Sequence, residues 1–122
     1  MATAVDIMRG GHSAHGARAI NGQVQPAVSA AGTAISDATD LVSSINVVTT
    51  AAADSGVQLP SAQIGDEVEI LNLGANAVTV YPDASANQIN ALSAGSGFLL
   101  ATNTAVKLRK FTSTRWAGFL SA

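Results

Sequence analysis

Asp66-Glu67-Val68-Glu69-Ile70-Leu71-Asn72 alternates charged and apolar side chains, Gly74-Ala75-Asn76 follows at once, and Ala77-Val78-Thr79-Val80-Tyr81 runs on to Pro82. Successive side chains of a β-strand point to opposite faces, so the first run predicts a strand with one face buried. Two such runs joined by a short Gly/Asn link predict a β-hairpin. Its buried face would set Val68 and Ile70 against Val78 and Val80, leaving Glu67 and Glu69 in water.

Working outward, Ile45-Asn46-Val47-Val48-Thr49-Thr50 is β-branched and reads as a strand. Asp54-Ser55-Gly56 turns the chain into a short strand, Val57-Gln58-Leu59, which Pro60 stops. Residues 27–40 allow one or two weak strands and a helical turn around Ser36–Leu41 capped by Ser36 or Asp37. Beyond Pro82, Asp83–Ala94 reads as a loop with Ile89 and Leu92 tucked beneath it. Phe98-Leu99-Leu100, the alternating Ala105–Phe111, and Arg115–Phe119 after a turn at Thr112-Ser113-Thr114 complete the strands. No segment of helical period has useful length. Turns at intervals of roughly eight to twelve residues predict an all-β fold, a compact antiparallel β-sandwich or small barrel of jelly-roll-like type.

The 122 residues allow one ordinary domain. Residues 1–26 differ from the rest: Arg9-Gly10-Gly11-His12-Ser13-Ala14-His15-Gly16 is glycine-rich, lacks a period, and Pro26 closes the stretch. They read as an extended N-terminal arm ordered on a partner, with residues 27–122 as the β-sandwich domain.

Charged residues make up only 11% of the chain, well below the usual share of a soluble domain. So little mutual repulsion predicts a surface partly covered by another subunit or protein. Between Ala19 and Val106 there is no Lys or Arg, whereas Lys107, Arg109, Lys110 and Arg115 crowd together without an acid. Such segregation predicts complementary patches within a sheet or between subunits. Cysteine is absent, which excludes disulfides and thiolate chemistry. Neither a signal peptide nor a membrane span is expected, and the net charge of −2 argues against general nucleic-acid or membrane binding.

Each catalytic or ligand-binding constellation has a plainer reading. His12 and His15 could give a metal two ligands, but zinc sites want three or four on a firm scaffold. Glu67 and Glu69 would stand about 7 Å apart on one strand face, a glycosidase-like spacing. Lys107 and Arg109 share the same alternation, so a cross-strand or intersubunit ion ladder accounts for them more economically. Phe111 and Trp116 beside the basic run suggest single-stranded nucleic acid, yet one patch in an acidic chain is a thin basis. Trp116 could stack on a sugar; a core or interface anchor is the simpler role. No nucleophile elbow, P-loop or dinucleotide fingerprint occurs. The expectation is a non-enzyme without cofactor or metal.

The run Ile45–Thr50, then Gly56-Val57-Gln58-Leu59-Pro60, Gly65 with strand 66–72, Gly74–Pro82, Ile89-Asn90-Ala91-Leu92 and Arg115-Trp116 resembles a module of small tailed-bacteriophage structural proteins, over roughly residues 41–120. The resemblance implies a compact antiparallel β-domain that forms homotrimers. The arm resembles the extended segments with which capsid decoration (cement) proteins grip the shell. That likeness implies a trimer on the capsid exterior, assembled in the bacterial cytoplasm, that stabilises the major capsid protein shell without binding nucleic acid or membrane. Lys107, Arg109, Trp116 and Phe119 are then the candidate trimer contacts, and Arg9, Arg18 and Ile20 the candidate capsid contacts. The alternative is a tail-fibre, spike or head-fibre module that binds host glycans.

Overall fold

Val68 and Ile70 do share a core with Val78 and Val80, but no hairpin joins them. In the computed structural model, which describes residues 23–121, the run 66–72 and the run 77–81 belong to different sheets. Ten strands form: β1 (Val24–Ser29), β2 (Thr39–Asp40), β3 (Ile45–Thr50), β4 (Gly56–Gln58), β5 (Glu67–Asn72), β6 (Val78–Tyr81), β7 (Gln88–Ile89), β8 (Phe98–Leu100), β9 (Thr104–Thr112) and β10 (Arg115–Leu120). The chain shuttles between a six-stranded sheet, ordered β1-β3-β5-β9-β10-β7, and a four-stranded sheet, ordered β2-β4-β6-β8.

Strands of successive turns stack in parallel: β1 on β3, β3 on β5, β2 on β4, and β4 on β6. Thr39 lies beside Val57 and Ile45 beside Glu69, so one turn takes between 18 and 24 residues. The last turn reverses. β8 runs antiparallel to β6 and β9 antiparallel to β5, and β10 folds back on β9 with its first two residues beside β7. This is a mixed-sheet β-solenoid of about four turns, and it replaces the antiparallel sandwich or jelly-roll-like barrel expected above. Strand alternation says which face is buried but not which strand lies alongside. The regular turn spacing marked half-turns of a coil rather than hairpins.

One core fills the space between the sheets. Val48, Ile70, Val106, Leu108 and Trp116 enter it from the six-stranded side, and Val57, Val78, Val80 and Leu100 from the other. Ile89 is fully buried, whereas Leu92, expected beside it, stays partly exposed. On the outer face of the four-stranded sheet the ring of Tyr81 lies over Gly56, where a Cβ would come within 2.6 Å of it. The helical turn expected at 36–41 forms earlier, at 34–38, where the N–H groups of Asp37 and Ala38 donate to Ala34 O (3.2 and 3.1 Å), so neither Ser36 nor Asp37 caps its start. The Asp37 carboxylate instead accepts from the N–H groups of Thr33 (3.1 Å) and Ala34 (2.9 Å), a tight turn that leads into β2.

Pro26, expected to close the arm, sits inside β1, an edge strand whose outer side needs no donor. Residues 1–22 lie outside the described residues.

Corners hold the turns in stack. The fully buried Asn72 ends β5; its Oδ1 accepts from Gly74 N–H (2.9 Å) and its Nδ2 donates to the carbonyls of Asn76 (2.9 Å) and Leu100 (3.1 Å). Asn76 Nδ2 in turn donates to Ala51 O (3.0 Å) in the preceding corner. The buried Asn46 is less well served: its Nδ2 reaches Ser43 O (2.8 Å) and, at the long end, Glu69 O (3.4 Å), and its Oδ1 has no partner. Asn72→Leu should therefore lower stability by about 2–4 kcal/mol, for three lost hydrogen bonds, while Asn46→Leu should cost under about 1 kcal/mol. Urea unfolding of the two variants beside the parent chain measures the difference.

Candidate functional site

Two groupings of charge stand out, one buried and one on the surface. The buried one centres on Asp83, in the connection between β6 and β7. Its Oδ2 receives Lys110 Nζ at 2.7 Å, and its Oδ1 receives Asn87 Nδ2 at 2.7 Å and Trp116 Nε1 at 3.0 Å. Lys110 points inward from β9, also donates to Ala62 O (3.0 Å), and holds its ammonium 5.9 Å from the centre of the Trp116 ring. Both charged side chains are under a tenth exposed. Burial pushes the Asp83 carboxyl up. Hydrogen bonds from Lys110, Trp116 and Asn87, with the Lys110 charge, outweigh that and hold it below its ordinary value of 3.8.

Both Asp83 oxygens, the Lys110 ammonium and the Trp116 indole N–H all have partners inside the chain, which makes the cluster a clamp. It joins the β6–β7 connection to the β9–β10 hairpin and to the segment after β4. Sequence reasoning missed it, because Asp83 falls in a stretch that reads as loop and Lys110 in a basic run that reads as one patch. A signal was present: Lys110 continues the inward series Val106, Leu108 at strand spacing.

The surface grouping lies on the outer face of the six-stranded sheet. Glu67 pairs with Arg109 and Glu69 with Lys107 along the antiparallel β5–β9 ladder. Lys107 Nζ lies 3.0 Å from Glu67 and 3.9 Å from Glu69, and Arg109 also bonds Glu67. The expected ladder thus forms within one chain, with Lys107 and Arg109 about half exposed. Apolar side chains flank it. Ile45, Glu69, Lys107 and Phe119 form one row across four strands, and Val47, Leu71 and Ala105 form the next. These two rows line a shallow groove.

Of the four candidate contact residues, Lys107, Arg109 and Phe119 share this face, with Phe119 68% exposed. Trp116 does not: it is fully buried within the single chain and bonded to Asp83, so it has no surface to give a second subunit or a sugar. Ile45, Val47 and Leu71 are the face residues that sequence reasoning passed over. They alternate with buried positions, and an outward apolar residue in a strand resembles an inward one until the register is known. Arg9, Arg18 and Ile20, like His12 and His15, lie outside the described residues. No group of three or more His, Asp or Glu able to hold a metal ion occurs among the described residues.

The two groupings differ in what they contribute to stability. Asp83→Asn leaves the Lys110 ammonium buried without its counter-ion, and should cost about 3–5 kcal/mol. Glu69→Gln, on the surface, should cost less than about 1 kcal/mol. Because folding lowers the Asp83 pKa, its contribution is complete above the ordinary value of 3.8 and is lost as pH falls through the lower folded value. Urea melts at a series of acidic pH values should show that slope in the parent chain and its loss in Asp83→Asn.

The chain matches no family model and no curated protein.

Proposed function

We propose that the chain is a non-catalytic, self-associating structural part of a bacteriophage particle, of the capsid decoration type, which binds the shell formed by the major capsid protein. The observation that carries the first half is the outer face of the six-stranded sheet. Ile45, Val47, Leu71, Ala105 and Phe119 lie together there, on a chain with only 11% charged residues. Contiguous apolar surface on so weakly charged a protein favours association, because water is released at about 25 cal/mol per Å² and little charge repulsion opposes it.

The second half rests on the sequence pattern of residues 41–120 and on the glycine-rich arm. The fold does not contribute to it, since a solenoid stands where the resemblance implied an antiparallel domain. The homotrimer was implied by that same antiparallel domain. Under this reading the arm meets the capsid through Arg9, Arg18 and Ile20, and the solenoid holds neighbouring copies.

Binding of the full-length chain to undecorated capsids of the parent phage, followed by cryo-electron microscopy, tests the reading. The expected result is regular density for the chain on the shell. Arg9→Glu with Arg18→Glu should weaken binding at least about tenfold, equivalent to 1.4 kcal/mol, and leave the urea melt unchanged. Shells that carry no such density would overturn the capsid assignment.

A further inference from the structure

The row Ile45–Glu69–Lys107–Phe119 reads apolar, acidic, basic, apolar across β3, β5, β9 and β10. Read from its other end the pattern is the same with the charges exchanged. A surface of that kind complements itself. Two identical sheet faces can meet about a two-fold axis lying in the interface, directed either across the strands or along them. An axis across the strands lays β5 on β5 and β9 on β9, acid on acid and base on base. An axis along the strands, midway between β5 and β9, lays each β5 on the partner's β9. Glu69 then faces the partner's Lys107, and Glu67 faces the partner's Arg109. Along the same axis Ile45 meets the partner's Phe119 and Leu71 meets the partner's Ala105. The electrostatics and the apolar rows select the same arrangement.

We propose that the outer face of the six-stranded sheet binds the same face of a second copy, about a two-fold axis running along the strands between β5 and β9. This inference rests on the assembly reading above and names its self-contact. The intrachain ladder does not use up the charges: Lys107 and Arg109 are about half exposed, and an ammonium or guanidinium has donors for more than one carboxylate. Sheets pack face to face at about 10 Å, within reach of opposed Glu and Lys side chains. Four strands of about six residues give a face of roughly 20 by 20 Å, small beside permanent dimer interfaces. Association is therefore concentration-dependent and weakened by salt.

Sedimentation velocity of the full-length chain over a concentration series tests the pairing. The expected result is a monomer–dimer equilibrium whose dissociation constant rises at least about tenfold in Phe119→Asp, equivalent to 1.4 kcal/mol. Phe119 is exposed, so the urea melt of that variant should stay unchanged. A charge-exchanged variant, with Glu67→Lys, Glu69→Lys, Lys107→Glu and Arg109→Glu together, keeps the intrachain ladder and its self-complementarity. It should dimerise with itself. Mixed with the parent chain, however, it would lay acid on acid and base on base. Fluorescence transfer between labelled parent and variant chains should accordingly stay near background while each forms its own dimer. A monomer at every concentration, or mixed dimers forming as readily as like ones, would overturn the pairing. A trimer would overturn it too, while leaving the assembly reading in place. Dimers that form as expected beside capsids that stay bare would instead sink the capsid assignment alone.

Discussion

The direction in which the chain leaves β5 depends on Asn72. Its side chain caps the strand end inside the core, drawing the Gly74 amide toward Oδ1 and holding the Asn76 and Leu100 carbonyls on Nδ2. With those three groups fixed, residues 73–77 round a corner to the opposite sheet instead of folding back on β5. The corner also sits on its neighbours. Leu73 N–H donates to Val48 O, Asn76 reaches Ala51 O, Asn103 N–H donates to Asn72 O, and Thr102 bonds Gly74 O. Gly74 has no Cβ to spare, since one would lie 2.7 Å from that of Ala51. Three successive turns are thus pinned at a single column of corners, and the parallel strand pairs follow from that stacking.

A parallel coil must then end, and this one ends by reversing. β8 and β9 run antiparallel to the strands they join, which brings the β9–β10 hairpin across the side of the core near β7. The apolar contacts of Val106, Leu108 and Trp116 alone would leave that closure laterally free, because hydrophobic burial is non-directional. The Asp83–Lys110 pair supplies direction. Its desolvation is costly, and it is offset by a full set of partners from four segments of the chain. Together with the β5–β9 and β10–β7 ladders, which set its register, the buried pair holds the last hairpin against the β6–β7 connection and the segment after β4.

Strands β3, β4, β5, β6, β8, β9 and β10 were legible in the sequence to within a residue or two, since alternation and β-branching are local properties. So was the ion ladder, because Glu67, Glu69, Lys107 and Arg109 share one period on strands that had to lie near each other. The sheet topology was not legible. Val68 and Ile70 bury the same side chains whether β6 hydrogen-bonds to β5 or faces it across the core, and only the corner bonds of Asn72 separate the two. The clamp was hidden for a related reason: Asp83 lies 27 residues from Lys110, and nothing local marks a loop aspartate as buried. Trp116 was legible in part: a core or interface anchor was its simpler role, and its full burial with the indole on the Asp83 carboxylate selects the core over the interface.

The solenoid also constrains how copies can meet. A coil of stacked strands exposes hydrogen-bonding edges at its two ends, and edge-to-edge addition would build open fibres rather than a closed assembly. Here the edges are poorly suited to it. β1 carries Pro26, which has no N–H, and its register against β3 slips between Gln25 and Val28. β2 and β7 are two residues long, and β8 three. Short, interrupted edges of this kind are the usual guard against strand addition. The outer face of the six-stranded sheet has no such guard: its strands are long, its register is regular from β3 through β9, and its apolar rows are half-buried with Phe119 exposed at their end. Under the pairing proposed above, association falls to a sheet face rather than a strand edge. In that proposed pairing, a face whose charges are ordered acid then base from β5 to β9 would close on one partner, because a two-fold contact uses the whole patch on both copies and leaves none for a third.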